Sequence, residues 1–250
     1  MSAIDLPTML KELKLPAMRD CYEECATEAR REDLSHEAFL EELVRREVEQ
    51  RRTHRTWRWL RESTLPLAKT LDAFDRSRLP AKVGSQLSVL TDGAFLSRAE
   101  NVLAFGNPGS GKTHLLCGLA EELIHRGYRI LFRSCALLVQ ELLNAKKDLR
   151  LERFFRRIRR YDAILIDDIG YVEQSREEME VLFTLLAECY ERRTIMITSN
   201  LPFSQWQRIF KDPMTTAAAI DRLVHHSVIL ELNIDSYRLH NAKKAQKEVQ

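Results

Sequence analysis

Gly106-Asn107-Pro108-Gly109-Ser110-Gly111-Lys112-Thr113-His114 follows directly on the apolar run Val102-Leu103-Ala104-Phe105. The pattern is that of a phosphate-binding loop set between a buried strand and a helix. Gly106, Gly109 and Gly111 let the backbone turn tightly and bring its N–H groups against phosphate oxygens with no Cβ in the way. A helix starting near Lys112 aims its partly positive N-terminus at the same anion. Lys112 supplies a point charge for the β- and γ-phosphates, and the Thr113 hydroxyl is a ligand for Mg²⁺. Residues 106–114 are therefore expected to hold a nucleoside triphosphate.

Working outward, the pattern from Asn101 onward alternates strands and helices. Strands are expected at 102–105, 129–133, 162–167, 194–198 and 227–231, with helices at about 112–126, 134–145, 149–159, 175–192 and 214–225. Apolar strands separated by helices indicate a parallel sheet covered on both faces, an α/β fold. The first 80 or so residues read as all-helical. Pro16 suits the first turn of a helix running to about Glu32, and Ser35 suits the N-cap of a longer one. The expected apolar stripe of that helix is Phe39, Leu40, Leu43, Val44 and Val48. Pro66 and Pro80, with the segment between them, read as a hinge or linker. The expected organisation is a helical domain at 1–80, for assembly and DNA binding, and an ATPase domain at 81–250.

Ala163-Ile164-Leu165-Ile166-Asp167-Asp168 places two carboxylates at the C-terminal end of a strand, where ligands sit in such sheets. Asp167 is expected to anchor the Mg²⁺ shell and Asp168 to orient or deprotonate a water. The strand Thr194–Thr198 runs into Ser199-Asn200. Asn200 suits contact with the attacking water or the γ-phosphate, and is also an ordinary strand-ending residue. Arg222, in AAAIDRLVHH, reads either as an arginine finger or as a helix-surface arginine paired with Asp221 or Glu231.

With these residues in view, the chain resembles the IstB-like ATPases, transposition helper proteins of bacterial insertion sequences within the AAA+ superfamily, close to helicase loaders. LPLAKTLDAFD, AENVLAFGNPGSGKTHL, YDAILIDDIGYV, YERRTIMITSNLPFSQW and AAAIDRLVHHSVILELNIDSYRL carry the likeness over nearly the whole chain. The resemblance implies an AAA+ P-loop fold with a five-stranded parallel sheet, and ATP and Mg²⁺ as cofactors. Lys112 and Thr113 match its Walker A residues, and Asp167 its Walker B magnesium ligand. Asp168 stands where most AAA+ proteins carry a catalytic glutamate. Asn200 matches sensor 1, and Arg222 the finger that acts on a neighbouring subunit's ATP. About 19 residues follow the last expected strand, too few for the usual helical lid of roughly 60; Arg238 then stands in for the lid's sensor 2 arginine.

The same resemblance implies partners: duplex DNA, a transposase subunit and further copies of the chain, with ATP between subunits and no membrane. Two arginine-rich stretches are candidates for DNA. Arg51, Arg55 and Arg58 share a helix face spaced to track a phosphate backbone, interleaved with Trp57 and Trp59, both expected to pack. Arg150 lies with Arg153, Arg156, Arg157, Arg159 and Arg160 between the second and third strands, where the resemblance implies the extra helical element of initiator and loader ATPases. Lys146, Lys147 and Arg150, in the turn before that helix, are the preferred phosphate contacts. No base-reading motif is present, so sequence-tolerant backbone binding is expected. A helicase loader and an ATP-gated scaffold with little hydrolysis are the rival readings. A small-molecule kinase is disfavoured, since no segment suits an acceptor pocket.

Composition adds limits. Of 250 residues, 44% are hydrophobic and 30% charged, which suits a globular protein, and no apolar run reaches the ~20 residues of a membrane span. The N-terminus lacks a signal-peptide pattern, so a cytoplasmic location, nucleoid-associated when on DNA, is expected. Cys21, Cys25, Cys117, Cys135 and Cys189 lack metal-type spacing and read as reduced, buried thiols. Net charge is only +2, so the distribution of arginines says more about partners than their excess.

Overall fold

The structure, a computed structural model, describes residues 5–170 and 175–237. The chain divides into two compact units, Met1–Arg58 and Trp59–Gln250.

The first unit is built from α1 (Leu6–Glu12), α2 (Pro16–Arg31) and α3 (His36–Ser63), whose last residues belong to the second unit. Pro16 takes the first helical position of α2, where its missing N–H costs nothing. The Ser35 hydroxyl accepts the Ala38 N–H at 3.2 Å at the start of α3, as a capping serine should. Met18, Cys25 and Leu43 form a small core with Phe39, Leu10 and Tyr22 packed on it. The expected stripe on α3 is only partly right: Leu40, Val44 and Val48 are exposed. Phe39, Leu43 and Glu47 form the inward row at four-residue spacing, and the other three fall on the adjacent row. The row ends in a buried carboxylate. Glu47 accepts the N–H groups of Ala17 at 2.8 Å and Met18 at 3.2 Å, satisfying the open first turn of α2. Burial pushes the Glu47 carboxyl up, but Arg51 at 2.7 Å and the two N–H donors outweigh it and hold the pKa below the usual range.

The second unit opens with the 64–80 segment, which contains a 3₁₀ turn at Arg76–Arg78, then α4 (Ala81–Leu90) and α5 (Ala94–Ser97). There follow β1 (Asn101–Gly106), α6 (Lys112–His125), β2 (Ile130–Ser134), α7 (Cys135–Lys147), α8 (Leu151–Ile158) and β3 (Ala163–Ile169). The chain continues through α9 (Arg176–Cys189), β4 (Thr194–Ser199), α10 (Gln207–Phe210), α11 (Pro213–Val224) and β5 (Ser227–Leu232). All five expected strands form, within two residues at either end. They make one parallel sheet in the order β2-β3-β4-β1-β5.

Each strand alternates its side chains between two cores. Val102, Ala104, Leu165 and Met196 pack with α4 and α6, while Leu103, Ile164, Ile166 and Ile197 pack with α7, α8, α9 and α11. The 66–80 segment is not the expected linker. Leu71 is 2% exposed and lies against α6, where a Cβ on Gly118 would meet the Leu71 backbone nitrogen at 2.7 Å. Two prolines mark a break in helix, but a leucine buried against a helical glycine docks the segment on the core of the second unit. All five cysteines are free thiols, four buried and Cys21 half-buried. No helix among the described residues is long and apolar enough to cross a membrane.

Candidate nucleotide-binding site

The sheet order sets the site. β4 lies between β1, which feeds the phosphate loop, and β3, which carries the acids, so the ends of three neighbouring strands face one cleft of about 450 Å³. The loop residues Pro108 to His114 line it, together with Asp168, Thr198 and Asn200. Gly109 (φ +80°) and Gly111 (φ +94°) hold the left-handed backbone the loop needs, and a Cβ on Gly111 would strike the Phe74 ring at 2.9 Å. Asn107 is exposed at the loop's outer edge. The Ser110 hydroxyl is buried and finds no partner among the described residues.

Lys112 is only 6% exposed, and its ammonium donates to the carbonyls of Gly106 (2.8 Å) and Asn107 (2.9 Å) and to Asn200 Oδ1 (2.6 Å). Asn200 in turn donates through Nδ2 to Asp168 Oδ1 at 2.9 Å. The Thr113 hydroxyl donates to Asp167 Oδ1 at 2.7 Å. That hydroxyl and carboxylate are hard oxygen donors side by side at the mouth of the phosphate loop, a pair that fits Mg²⁺.

A bulge arranges the acids. Ile166 pairs with Ile197 and Ile169 with Ser199, so two β3 residues, Asp167 and Asp168, oppose the single β4 residue Thr198. Asp168 takes φ +63°, in the left-handed region that aspartate tolerates better than most residues. The Thr198 hydroxyl serves both acids: it donates to Asp167 Oδ1 at 2.6 Å and accepts the Asp168 N–H at 2.7 Å. Burial raises the Asp168 pKa above its ordinary value, and the Asp167 carboxylate adds to the rise against the opposing pull of Lys112.

The cleft has further walls that sequence reasoning missed. Lys69, Phe74 and Arg78 come from the 64–80 segment, and Ile234 and Tyr237 from the stretch after β5. Three contacts tie these walls together: His114 Nε2 to the Thr70 carbonyl (2.8 Å), the His114 ring edge-on to Phe74 (5.2 Å), and the Tyr237 N–H to the Gly109 carbonyl (2.9 Å). His114 thus anchors the wall as well as lining the cleft. The only sequence signal for these walls was an aromatic and basic residues between two prolines. Arg238 lies outside the described residues.

Similarity to known proteins agrees with this geometry. A model of the IstB-like ATP binding proteins matches residues 8–245. The chain belongs to this family. An insertion-sequence ATP-binding protein of Sinorhizobium fredii is 39% identical over 97% of this chain and 82% of its own length. The IS21 ATP-binding protein of Pseudomonas aeruginosa is 34% identical over 96% of this chain and 91% of its own. Among solved structures, AMPPCP-bound DnaA from Aquifex aeolicus superposes with a TM-score of 0.57 at 20% identity, covering 74% of this chain and 56% of that one. The DnaC helicase loader gives 0.55 at 18%, covering 67% and 97%. These two likenesses place the second unit in the AAA+ P-loop fold.

Within this IstB-like chain, Arg222 sits far from its own phosphate loop. It lies in the last turn of α11 at the opposite end of the sheet, where its carbonyl and that of Leu223 face the side chain of Asn101, the first residue of β1. The guanidinium lies over the Phe183 ring at 4.5 Å, and its Nη1 is buried without a hydrogen-bond partner among the described residues.

The basic residues separate into two kinds. Arg51 pairs with Glu47 and donates to the Lys14 carbonyl, and its side chain stays 56% exposed. Arg55 and Arg58 are exposed. Trp59 packs on the second unit's core, but Trp57 is 65% exposed, against expectation. In the other stretch Arg157 and Arg159 pair with Glu141 and Glu188. Lys146 is 3.2 Å from Glu180, and Lys147 and Arg150 are exposed around the α7–α8 turn.

Proposed function

We propose that this IstB-like protein hydrolyses ATP between neighbouring copies of itself assembled on duplex DNA, and that the assembly assists a transposase in choosing where to insert. The position of Arg222 carries the reading. One subunit holds the phosphate loop, Asp168 and Asn200 in one cleft, with Asp167 bonded to the loop's Thr113, while its arginine lies at the far end of its own sheet, which supports a finger supplied by another copy. Relatives named as insertion-sequence ATP-binding proteins favour a transposition helper over a helicase loader.

The chemistry follows from the cleft. The loop N–H groups, Lys112 and the start of α6 bind the β- and γ-phosphates. Mg²⁺, when bound by Thr113 and Asp167, offsets phosphate charge. Asn200 positions a water, and Asp168, its proton affinity raised by burial, accepts the proton as the water oxygen bonds to γ-phosphorus and the bond to the ADP oxygen breaks. The neighbour's Arg222 stabilises the charge that develops on the transferring group.

The test is ATPase rate with and without duplex DNA, paired with electron microscopy of the ATP-bound protein on DNA. DNA-stimulated turnover and ATP-dependent assemblies on the duplex are expected. A rate indifferent to DNA, with single subunits bound, would refute the reading.

A further inference from the structure

Three ligand-type side chains converge at the end of the sheet that carries Arg222, away from the phosphate loop. Glu191 lies in the turn from α9 to β4, and His225 and His226 in the turn from α11 to β5. One donor atom from each falls within 4.8 Å of the others, and all three residues are exposed. Two imidazoles and a carboxylate are a zinc donor set, and imidazole suits zinc where magnesium and calcium take oxygen. Donors around one Zn²⁺ stand about 3.4 Å apart, so exposed side chains need only small rotations to close on an ion. The backbone beneath them is fixed. The Arg192 and Arg193 N–H groups donate to the Cys189 carbonyl at 3.0 and 2.9 Å and close the Glu191 turn, and the His226 carbonyl accepts the Asn101 N–H at 2.7 Å. The buried Asn101 side chain joins the two turns: Oδ1 accepts the Ile195 N–H at 2.9 Å, and Nδ2 donates to the Leu223 carbonyl at 3.0 Å. The Tyr190 hydroxyl stands 3.2 Å from His225 Nδ1, the kind of outer contact that orients a metal-binding histidine. The carboxylate is not spent on an arginine either. Arg192 pairs with Glu188 at 3.6 Å, and Glu191 has no ion pair among the described residues.

We propose that Glu191, His225 and His226 bind one Zn²⁺ per chain, with water in the open position, at a site separate from the Mg²⁺ ligands Thr113 and Asp167. The ion ties the α9–β4 turn to the α11–β5 turn just after Arg222, and so steadies the helix end that presents the arginine. That role rests on the trans-acting reading of Arg222; the site itself does not.

The experiment titrates the full, nucleotide-free chain with Co²⁺ and then Zn²⁺, following the visible Co²⁺ spectrum and its loss as zinc displaces cobalt, with calorimetry for stoichiometry and affinity. One ion per chain is expected, with an intense tetrahedral Co²⁺ spectrum that lacks the near-ultraviolet band of thiolate ligation, and a melting temperature that rises with Zn²⁺. Glu191→Gln, His225→Gln and His226→Gln should each weaken zinc binding by more than the ~10–100-fold that a lost outer partner costs, and Tyr190→Phe by about 10-fold. ATP affinity, set at the other end of the sheet, checks that each variant is folded. Zinc that binds only at millimolar levels, or equally well in the three ligand variants, would overturn the site, and so would a thiolate band. With Mg²⁺ in excess, stoichiometric Zn²⁺ should raise ATP turnover of wild type and not of His226→Gln. A wild-type rate indifferent to zinc that does bind would leave the site standing and remove its role at Arg222. Absence of turnover with or without zinc would instead refute the function beneath that role.

Discussion

Thr198→Val isolates the one hydroxyl that joins both acids of the site. Valine matches threonine in shape, so the 1%-exposed position is neither enlarged nor overpacked, and only hydrogen bonds are lost. The first is the 2.6 Å donation to the Asp167 carboxylate; a bond to a charged group contributes about 1.5–3 kcal/mol. The second is acceptance of the Asp168 N–H at 2.7 Å, whose loss leaves a half-buried donor unpaired at about 1–3 kcal/mol. The cleft admits water, which recovers part of both, so the lower ends apply and the variant should unfold about 2–3 kcal/mol more easily. Urea unfolding of the nucleotide-free protein measures this. The same change frees the bulge that holds Asp168 in place, so ATP turnover should fall further than ATP affinity, while Thr198→Ser should preserve most of both. Stability within ~0.5 kcal/mol of wild type together with normal turnover would refute the claim that Thr198 organises the acids.

Other expectations follow from the same geometry. Asp168→Asn should slow hydrolysis by at least about 10²-fold while sparing ATP binding. Because the folded-state pKa of Asp168 lies above its ordinary 3.8, ionisation costs stability as pH rises through that folded value. The asparagine variant should therefore be the more stable nucleotide-free protein at pH 7, with the difference closing below pH 3.8 in a pH series of denaturation curves; a difference that widens on acidification would contradict this. Arg222→Ala should bind ATP yet lose about 10³–10⁵ in rate, and mixing it with Lys112→Ala subunits should restore activity; no rescue at any ratio would argue for a structural arginine. Arg55→Ala with Arg58→Ala should flatten the salt slope of DNA binding without touching nucleotide affinity, and an unchanged slope would place the DNA path elsewhere.

What was legible in the sequence was whatever repeats on a short period or sits in a tight local motif. The parallel sheet could be read because each strand is an apolar run between helical stretches, and the phosphate loop because three glycines and a lysine are needed within one turn. Asp167 and Asn200 were legible as polar residues that end such runs. Illegible features depend on neighbours far along the chain. Nothing local to Glu47 marks it as the residue that closes the open end of α2, some thirty residues earlier. Thr198 looked like a strand residue of high β-propensity, and only the β3–β4 bulge, which sets two residues against one, makes it the partner of both acids. Arg51 shared a face with Arg55 and Arg58, and only the fold reveals its ion pair with Glu47.

The wall formed by residues 66–80 shows how a local rule can point the wrong way. Two prolines and scattered polar residues are the composition of a linker, and helix propensity does fail there. Leu71, however, is buried against Gly118, a glycine inside α6 whose missing side chain lets the backbone of the segment approach. Once docked, the segment brings Phe74 within reach of Gly111 and the Thr70 carbonyl to His114, so the phosphate loop's own residues hold the wall in place. Residues of the wall line the same cleft as the phosphate loop, so nucleotide affinity and wall docking are expected to be linked. Phe74→Ala should weaken nucleotide binding although no charge is removed, and Gly118→Leu should weaken it too, from the far side of α6, by displacing Leu71. Titration with a fluorescent ATP analogue separates the cases: loss in both variants ties the wall to the site, and loss in Phe74→Ala alone would make the ring a local contact. Unchanged affinity in both would return residues 66–80 to the status of a linker.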